Sequence, residues 1–315
     1  KLDMEDYLQK ILRARVYDVA EETPLERAKN LSKKFKNNIW FKREDLQPVF
    51  SFKLRGAFNR MSQLTKEELE KGVIASSAGN HAQGVALSAS VLKCRSVIVM
   101  PLTTPIMKVR AVESHKAEVI LYGETYDECY EKALEISKKE RSVFVSPFDD
   151  PLLWRGHSSL IDECAQQMGR PDMVVVSVGG GGLLCGVLEG LNKHGWTDTK
   201  IITTETHGAA SFYESWKAGE IISLNEITTI ANTLGAKKIA KKALAMAQTF
   251  DTQAFLMNDA DAIKAASLFY DEHEVRVEPA CGAALSVPYL FSELFDKDER
   301  VLVIACGGAN TPGSF

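Results

Sequence analysis

The chain has 315 residues, 45% of them hydrophobic and 25% charged, and 38 basic against 42 acidic side chains leave a formal charge of −4. That is the profile of a folded globular chain, long enough for one large domain or two medium ones, and it excludes disordered and fibrous classes. A slightly acidic balance without long single-sign runs excludes nucleic acid as the main partner, and no apolar run approaches the roughly 20 residues that span a bilayer.

The charged start, Lys1 to Lys10, lacks the apolar centre of a signal peptide, so a soluble, cytoplasmic protein with no membrane partner is expected. The elements then alternate. Asn38 to Lys42 reads as a short strand, Val73 to Ala75 as another, and a helix follows from His81 to Leu92. Ser96 to Met100 is a strand stopped by Pro101, with a helix across Pro105 to His115. Next come a strand at Glu118 to Tyr122, an amphipathic helix at Thr125 to Lys139 and a strand at Val143 to Val145. The second half repeats the grammar: strand Met173 to Val178, helix Leu183 to His194 and strand Lys200 to Thr204. Helices are expected at Ala209 to Lys217, Ala236 to Thr249 and Asn258 to Glu272, and a last buried strand at Arg300 to Ala305. The fold class is therefore α/β, with two open parallel-sheet domains. The smaller domain (56–148) is inserted in a larger one built from 1–55 and 149–315.

Six cysteines without a Cys-x-x-Cys pair read as free thiols, and the six histidines show no zinc-ligand spacing.

Three stretches carry chemistry. Val174 to Val178 runs into Gly179, Gly180, Gly181, Gly182 and then Leu183, a strand, four glycines and a helix. Backbone N–H groups and the helix dipole there suit one phosphate, and the alternative is a tight strand–helix turn. Leu184 and Cys185 break the dinucleotide spacing, although Glu205 sits where a ribose-binding acid would. In Ser51-Phe52-Lys53-Leu54-Arg55-Gly56, Lys53 is either a snorkelling lysine or a desolvated amine of Schiff-base type. In Ser76-Ser77-Ala78-Gly79-Asn80-His81-Ala82-Gln83-Gly84, hydroxyls and free N–H groups either receive a carboxylate or cap a helix. Gly156-His157-Ser158-Ser159-Leu160 is a near miss for a hydrolase elbow and reads as a helix start.

Taken together with Cys306-Gly307-Gly308-Ala309-Asn310, these motifs in this order resemble the fold-type II pyridoxal-phosphate serine/threonine dehydratases, over essentially the whole chain. The resemblance implies deamination of L-threonine or L-serine to 2-oxobutyrate or pyruvate plus ammonia. It implies Lys53 as the Schiff-base lysine, Phe52 stacked on the cofactor, Gly179 to Gly182 on its phosphate and Asn80 on its 3-hydroxyl. Cys306 falls at the pyridine nitrogen, and Ser77, Ala78, Asn80 and His81 cradle the substrate carboxylate. Ala78 stands where related racemases carry a reprotonating serine, which argues against racemisation. The same resemblance implies a potassium-type monovalent cation held by Glu205, Ala209, Ser211, Leu234 and Ala236, and a homo-oligomer, a dimer or tetramer. Glu278 matches a further element near the site. Rival readings are a serine racemase or β-replacing synthase on the same scaffold, and a non-enzymatic nucleotide-binding α/β protein.

The first part, from Lys42 to Gly84, resembles biosynthetic threonine deaminases. Pro147 to Pro151, Leu183 to Gly186, Glu278 to Cys281 and Cys306 resemble animal-type serine dehydratases. Ser114-His115-Lys116-Ala117 departs from relatives, which commonly have glycine before the next strand. With the last residue at Phe315, no C-terminal regulatory domain and no isoleucine feedback are expected.

Overall fold

The computed structural model describes residues 15–308. The segment Lys1 to Lys10 and the end of the last motif, Ala309 and Asn310, lie outside the described residues.

The strands, in chain order, are β1 (Leu25–Arg27), β2 (Asn38–Arg43), β3 (Val73–Ser76), β4 (Ser96–Met100), β5 (Glu118–Leu121), β6 (Val143–Phe144), β7 (Met173–Ser177), β8 (Lys200–Thr206), β9 (Thr252–Met257) and β10 (Arg300–Ala305). The helices are α1 (Lys29–Phe35), α2 (Lys53–Met61), α3 (Lys66–Lys71), α4 (Asn80–Leu92), α5 (Ile106–Glu113), α6 (Tyr126–Glu140), α7 (Pro151–Gln167), α8 (Gly182–Lys193), α9 (Ser211–Ala218), α10 (Lys241–Ala247), α11 (Asp259–His273) and α12 (Pro279–Leu290).

One sheet has the order β1-β2-β10-β7-β8-β9 and the other β5-β4-β3-β6. Every pairing is parallel except β1 with β2. Alternate residues of the smaller sheet enter two separate cores. Val73, Ala75, Ile98 and Met100 pack with Ala82, Val85 and Ala86 of α4, while Ile74, Val97 and Val99 pack with Cys129 and Ala133 of α6. Both faces of this sheet are thus covered, which is why β4 is buried at every position and reads as a continuous apolar run; β7 in the larger sheet is likewise buried throughout. The six thiols are free, and all but the half-buried Cys94 are buried. Among the described residues no helix is long and apolar enough to cross a membrane.

Some elements differ from expectation for identifiable reasons. Gly156 to Leu160 is not a helix start. It lies inside α7, which begins at Pro151, where Asp150 Oδ1 accepts the Leu152 N–H at 2.8 Å. The helix expected from Ala236 shrinks to α10, because Ala240 N–H donates to the Gly180 carbonyl at 2.9 Å, a tie outside any helix. Lys116 adopts φ 66°, the left-handed region where glycine is unstrained, so the departure at 114–117 leaves a lysine in a glycine conformation.

The crossing of α2 with its neighbours positions the site. A Cβ on Gly156 of α7 would lie 2.4 Å from the Arg55 carbonyl oxygen, and one on Gly84 of α4 would lie 3.3 Å from the Lys53 carbonyl carbon. Glycines at both crossings let α2, whose first residue is Lys53, sit clamped between the helices of the two sheets.

Candidate active site

Two cavities meet at Lys53. The larger, about 400 Å³, is walled by the 76–81 loop and Pro101 to Lys108 on one side and by Phe148, Gly180 and Asn232 to Ala236 on the other. The smaller, about 60 Å³, is walled by Phe52, Asn80, the four glycines, Thr233, Glu278 and Cys306. Lys53 Nζ donates to the Pro147 carbonyl at 2.5 Å. Burial brings its amine from 10.5 down to about 8, against the opposing pull of Glu278 and Cys306. The snorkelling alternative therefore fails: the amine points into a cavity, not to bulk water. The Phe52 ring lies beside it, held edge-on by His157 at 4.9 Å between centroids. Burial, reinforced by the Lys53 and Arg55 charges, keeps His157 neutral.

Ser77, Ala78, Asn80 and His81 all line the larger cavity. They form the strand-to-helix turn of β3 and α4, and the first-turn N–H groups of a helix have no intrahelical acceptors. The Ser77 N–H is already committed to the Val99 carbonyl at 3.2 Å, and its hydroxyl accepts from Gly79 and Ala82. The N–H groups free for an anion are therefore those of Ala78, Asn80 and His81. The His81 ring is turned away: its Nε2 bonds the Val145 carbonyl at 2.9 Å, and burial together with the Lys53 charge pushes it down to about 3. Asn80 Nδ2 donates to Glu278 Oε1 at 2.7 Å, while its buried Oδ1 has no partner. Burial raises Glu278 to about 7 although Thr233 and Asn80 bond it.

The glycine loop is a backbone cradle. None of the four N–H groups donates to a described acceptor. A Cβ on Gly180 would meet the Phe148 ring at 2.1 Å, and Gly181 has φ 95°. Side chains are excluded there by contact and by conformation, as a tight turn also requires, and the turn leaves four N–H groups without described acceptors. Cys306, at the end of β10, is buried, and its bond to the Cys281 thiol together with burial holds it well above the ordinary thiol range, hence neutral.

Glu205 is not a ribose acid. It lines neither cavity, and its buried carboxylate accepts the Phe212 and Tyr213 N–H groups at 2.8 and 2.7 Å. Burial pushes it up to about 8, with no cationic side chain opposing. The nearby Ser211 Oγ is buried without a partner. Ala209 and Leu234 pack in one small apolar cluster, and Ala236 lines the larger cavity. The Leu234 carbonyl already accepts from the Ala236 N–H at 2.8 Å.

Sequence reasoning missed Pro147, Phe148 and Thr233 as site residues, because nothing local marks a carbonyl or a ring that arrives from elsewhere in the chain. It also missed the buried ion network behind Lys53. Arg55 Nε and Nη2 reach Glu44 at 2.8 and 2.7 Å, Nη2 reaches Glu163 at 3.0 Å, and Nη1 reaches Ser159 Oγ at 2.9 Å. Lys42 joins through Glu163 at 3.3 Å, and Arg55, Lys42 and Glu44 are all 0% exposed. Burial pushes Glu44 up, but Arg55, Thr23 and Lys42 together bring it below its ordinary value.

Residues 16–307 match the family described as pyridoxal-phosphate dependent enzyme. The chain belongs to that family. It is 41% identical over 307 residues to a threonine dehydratase of Nicotiana attenuata, covering 97% of this chain and 51% of that protein. It is 37% identical over 308 residues to an L-serine dehydratase of Dictyostelium discoideum, covering 92% and 88% of the two chains. In structure it matches the processed form of threonine deaminase isoform 2 from Solanum lycopersicum with a TM-score of 0.90 at 41% identity, covering 98% and 90% of the chains. A fungal L-serine ammonia-lyase from Rhizomucor miehei matches with a TM-score of 0.88 at 31% identity, covering 93% and 95%. The chain spans about half the length of the first threonine dehydratases it matches, with 51% covered in the Nicotiana protein. The fold is that of the fold-type II pyridoxal-phosphate enzymes.

Proposed function

We propose that this chain is an ammonia-lyase that removes water and ammonia from L-threonine and L-serine, giving 2-oxobutyrate or pyruvate. The observation that carries the reading is the Lys53 amine. It is lowered to about 8 and stands at the junction of a phosphate-sized glycine cradle and a carboxylate-binding helix start.

The residues present fit pyridoxal phosphate. The cradle has free N–H groups and no room for side chains, Asn80 Oδ1 is buried and unpartnered, and Cys306 is a neutral thiol. Gly179 to Gly182 would hold the phosphate, Asn80 the 3-hydroxyl, Cys306 the ring nitrogen and Phe52 one wall. Bound there, the cofactor supplies a sink for the electron pair released at the substrate Cα.

The chain's own groups do the rest. Ala78, Asn80 and His81 N–H groups orient the substrate carboxylate. Lys53 holds the cofactor and, as a free amine lowered toward neutrality, takes the Cα proton. A neutral Cys306 beside the ring nitrogen would supply no charge to hold a proton there, which would favour prompt loss of the β-hydroxyl. Ala78 places no acid on the opposite face, which disfavours a racemase. A nucleotide-binding reading loses its acid, because Glu205 is buried against α9.

A monovalent cation at Glu205 and Ser211, completed by the Ala209, Leu234 and Ala236 carbonyls, belongs to the same proposal. An acid raised by burial without a counter-charge and an orphaned hydroxyl support it. The test is 2-oxo acid release from L-threonine and L-serine by the pyridoxal-phosphate-loaded protein. Lys53→Ala is expected to abolish release and the visible absorbance of bound cofactor, and full turnover in that variant would refute the assignment.

A further inference from the structure

Among the described residues Glu278 is the only carboxylate that lines either cavity, and the lyase reading gives it no task. It holds the N-cap position of α12, where a side-chain oxygen ordinarily accepts a free helix N–H, yet its side chain makes no such bond. The carboxyl reaches outward instead. Asn80 Nδ2, on the first residue of α4, donates to its Oε1 at 2.7 Å, and the Thr233 side chain bonds it from the loop that walls both cavities. Because α4 packs on the smaller sheet and α12 on the larger, one carboxyl ties the two layers together over the smaller cavity. Glu278 is itself held in place. Its N–H donates to the Gly307 carbonyl at 3.4 Å, and a Cβ on Gly308 would lie 2.4 Å from its Cγ, so the 307–308 backbone backs its stem.

A primary amide carries an acceptor and a donor at opposite corners, and its partners alone decide which way round it sits. The Glu278 bond is the only one made by the Asn80 side chain among the described residues. With Nδ2 engaged there, Oδ1 is left buried and without a partner.

We propose that Glu278 is a positioning residue for the cofactor: by holding Asn80 Nδ2, in place of capping α12, it fixes the side chain whose oxygen meets the cofactor 3-hydroxyl. The inference rests on the reading of the smaller cavity as a pyridoxal-phosphate site and adds a residue to it. Glu278 transfers nothing, and its part is complete before substrate arrives. Its charge also pulls on the Lys53 amine, so bond and charge must be separated by experiment.

The probe is pyridoxine 5'-phosphate, which has the same ring, 3-hydroxyl and phosphate but no aldehyde for Lys53, with its dissociation constant read by equilibrium dialysis. Glu278→Ser should raise that constant roughly 10- to 100-fold, the span of one hydrogen bond to a charged group. The thermal midpoint of the unloaded variant should hold or rise, because serine at this position caps α12. Glu278→Gln keeps an acceptor of the same reach and removes the charge, and should stay within about threefold of wild type. In an Asn80→Ala background, Glu278→Ser should add less than about threefold. An unchanged constant in Glu278→Ser overturns the inference, because the bond then holds nothing the cofactor uses. A loss in Glu278→Gln as large as that in Glu278→Ser overturns it in favour of charge, and losses that multiply in the double variant show that Glu278 does not act through Asn80. Release of 2-oxo acid from L-serine by the pyridoxal-phosphate-loaded wild type is followed in parallel. The expected binding pattern without release sinks the lyase reading and leaves Glu278 its role, whereas a wild type that binds neither cofactor nor probe sinks both.

Discussion

Gly156→Ala tests whether the α2–α7 crossing sets the position of Lys53. The added Cβ would lie 2.4 Å from the Arg55 carbonyl oxygen and 2.8 Å from the Arg55 carbonyl carbon and Gly56 Cα, whereas ordinary contact begins at 3.4 Å. All three atoms are backbone, so no rotamer relieves the clash and the helices must part by about 1 Å. Overpacking of this kind costs about 1–3 kcal/mol, and the better helix propensity of alanine returns about 1 kcal/mol, so the net loss is up to about 2 kcal/mol. The larger effect is on chemistry. Lys53 begins the displaced helix, and a misplacement near 1 Å lowers rate by about 100-fold. The measurements are kcat for pyruvate release from L-serine and the thermal midpoint of the loaded protein. Gly190→Ala is the control: its Cβ would meet Ile161 Cβ at 2.5 Å, in the α7–α8 contact rather than on the helix of Lys53. It should lose stability and keep kcat. Wild-type kcat in Gly156→Ala, or equal losses of kcat in the two variants, would refute the positioning argument.

Three further outcomes follow from the same geometry. Arg55→Met leaves Glu44 and Glu163 buried with only Lys42 between them, and should cost about 3–5 kcal/mol in urea unfolding; a change below about 1 kcal/mol would show the network holds nothing. Glu205 is raised from 4.5 to about 8 when no cation is bound, so the unfolded chain releases its proton first and the folded state loses stability as pH rises from 4.5 through 8. Potassium should therefore raise Tm more at pH 9 than at pH 6, an increment absent with choline chloride and absent in Glu205→Gln; a potassium effect equal at both pH values would count against the cation site. Lys116→Gly relieves a left-handed lysine on an exposed turn and should raise Tm by about 1–2 °C, a gain that disappears if the turn is unstrained.

Much of the proposed site was legible in the sequence because its parts are local. A phosphate cradle is a strand, glycines and a helix start, and a carboxylate cradle is another such turn; both needs are met within about ten consecutive residues. Lys53 was visible as a lysine among aromatics, but its two readings could be separated only by what surrounds it. The segment at Gly156 misled because a helix start is defined by its cap, and Asp150 and Pro151 lie upstream of the suggestive serines. Pro147 and Phe148 stood in a stretch noted only for its likeness to animal-type serine dehydratases, and Thr233 carried no signal, since each joins the site from a segment whose own pattern reads as loop.

The alternation of strands and helices across 73–145 and 173–217, the two proposed anion cradles and the lysine between them were written in the chain itself, because hydrophobic period, glycine runs and helix starts act over a few residues; the short or edge elements at 25–35, 66–71 and 252–257 and the helices at 53–61 and 279–290 were not. The sharing of one cavity by residues 53, 78–81, 108, 148 and 233 was settled by packing over separations of up to hundreds of residues. So were the lowered Lys53 and the buried Arg55 network. Desolvation and charge pairing depend on which distant atoms close around a group, and no local pattern records that closure.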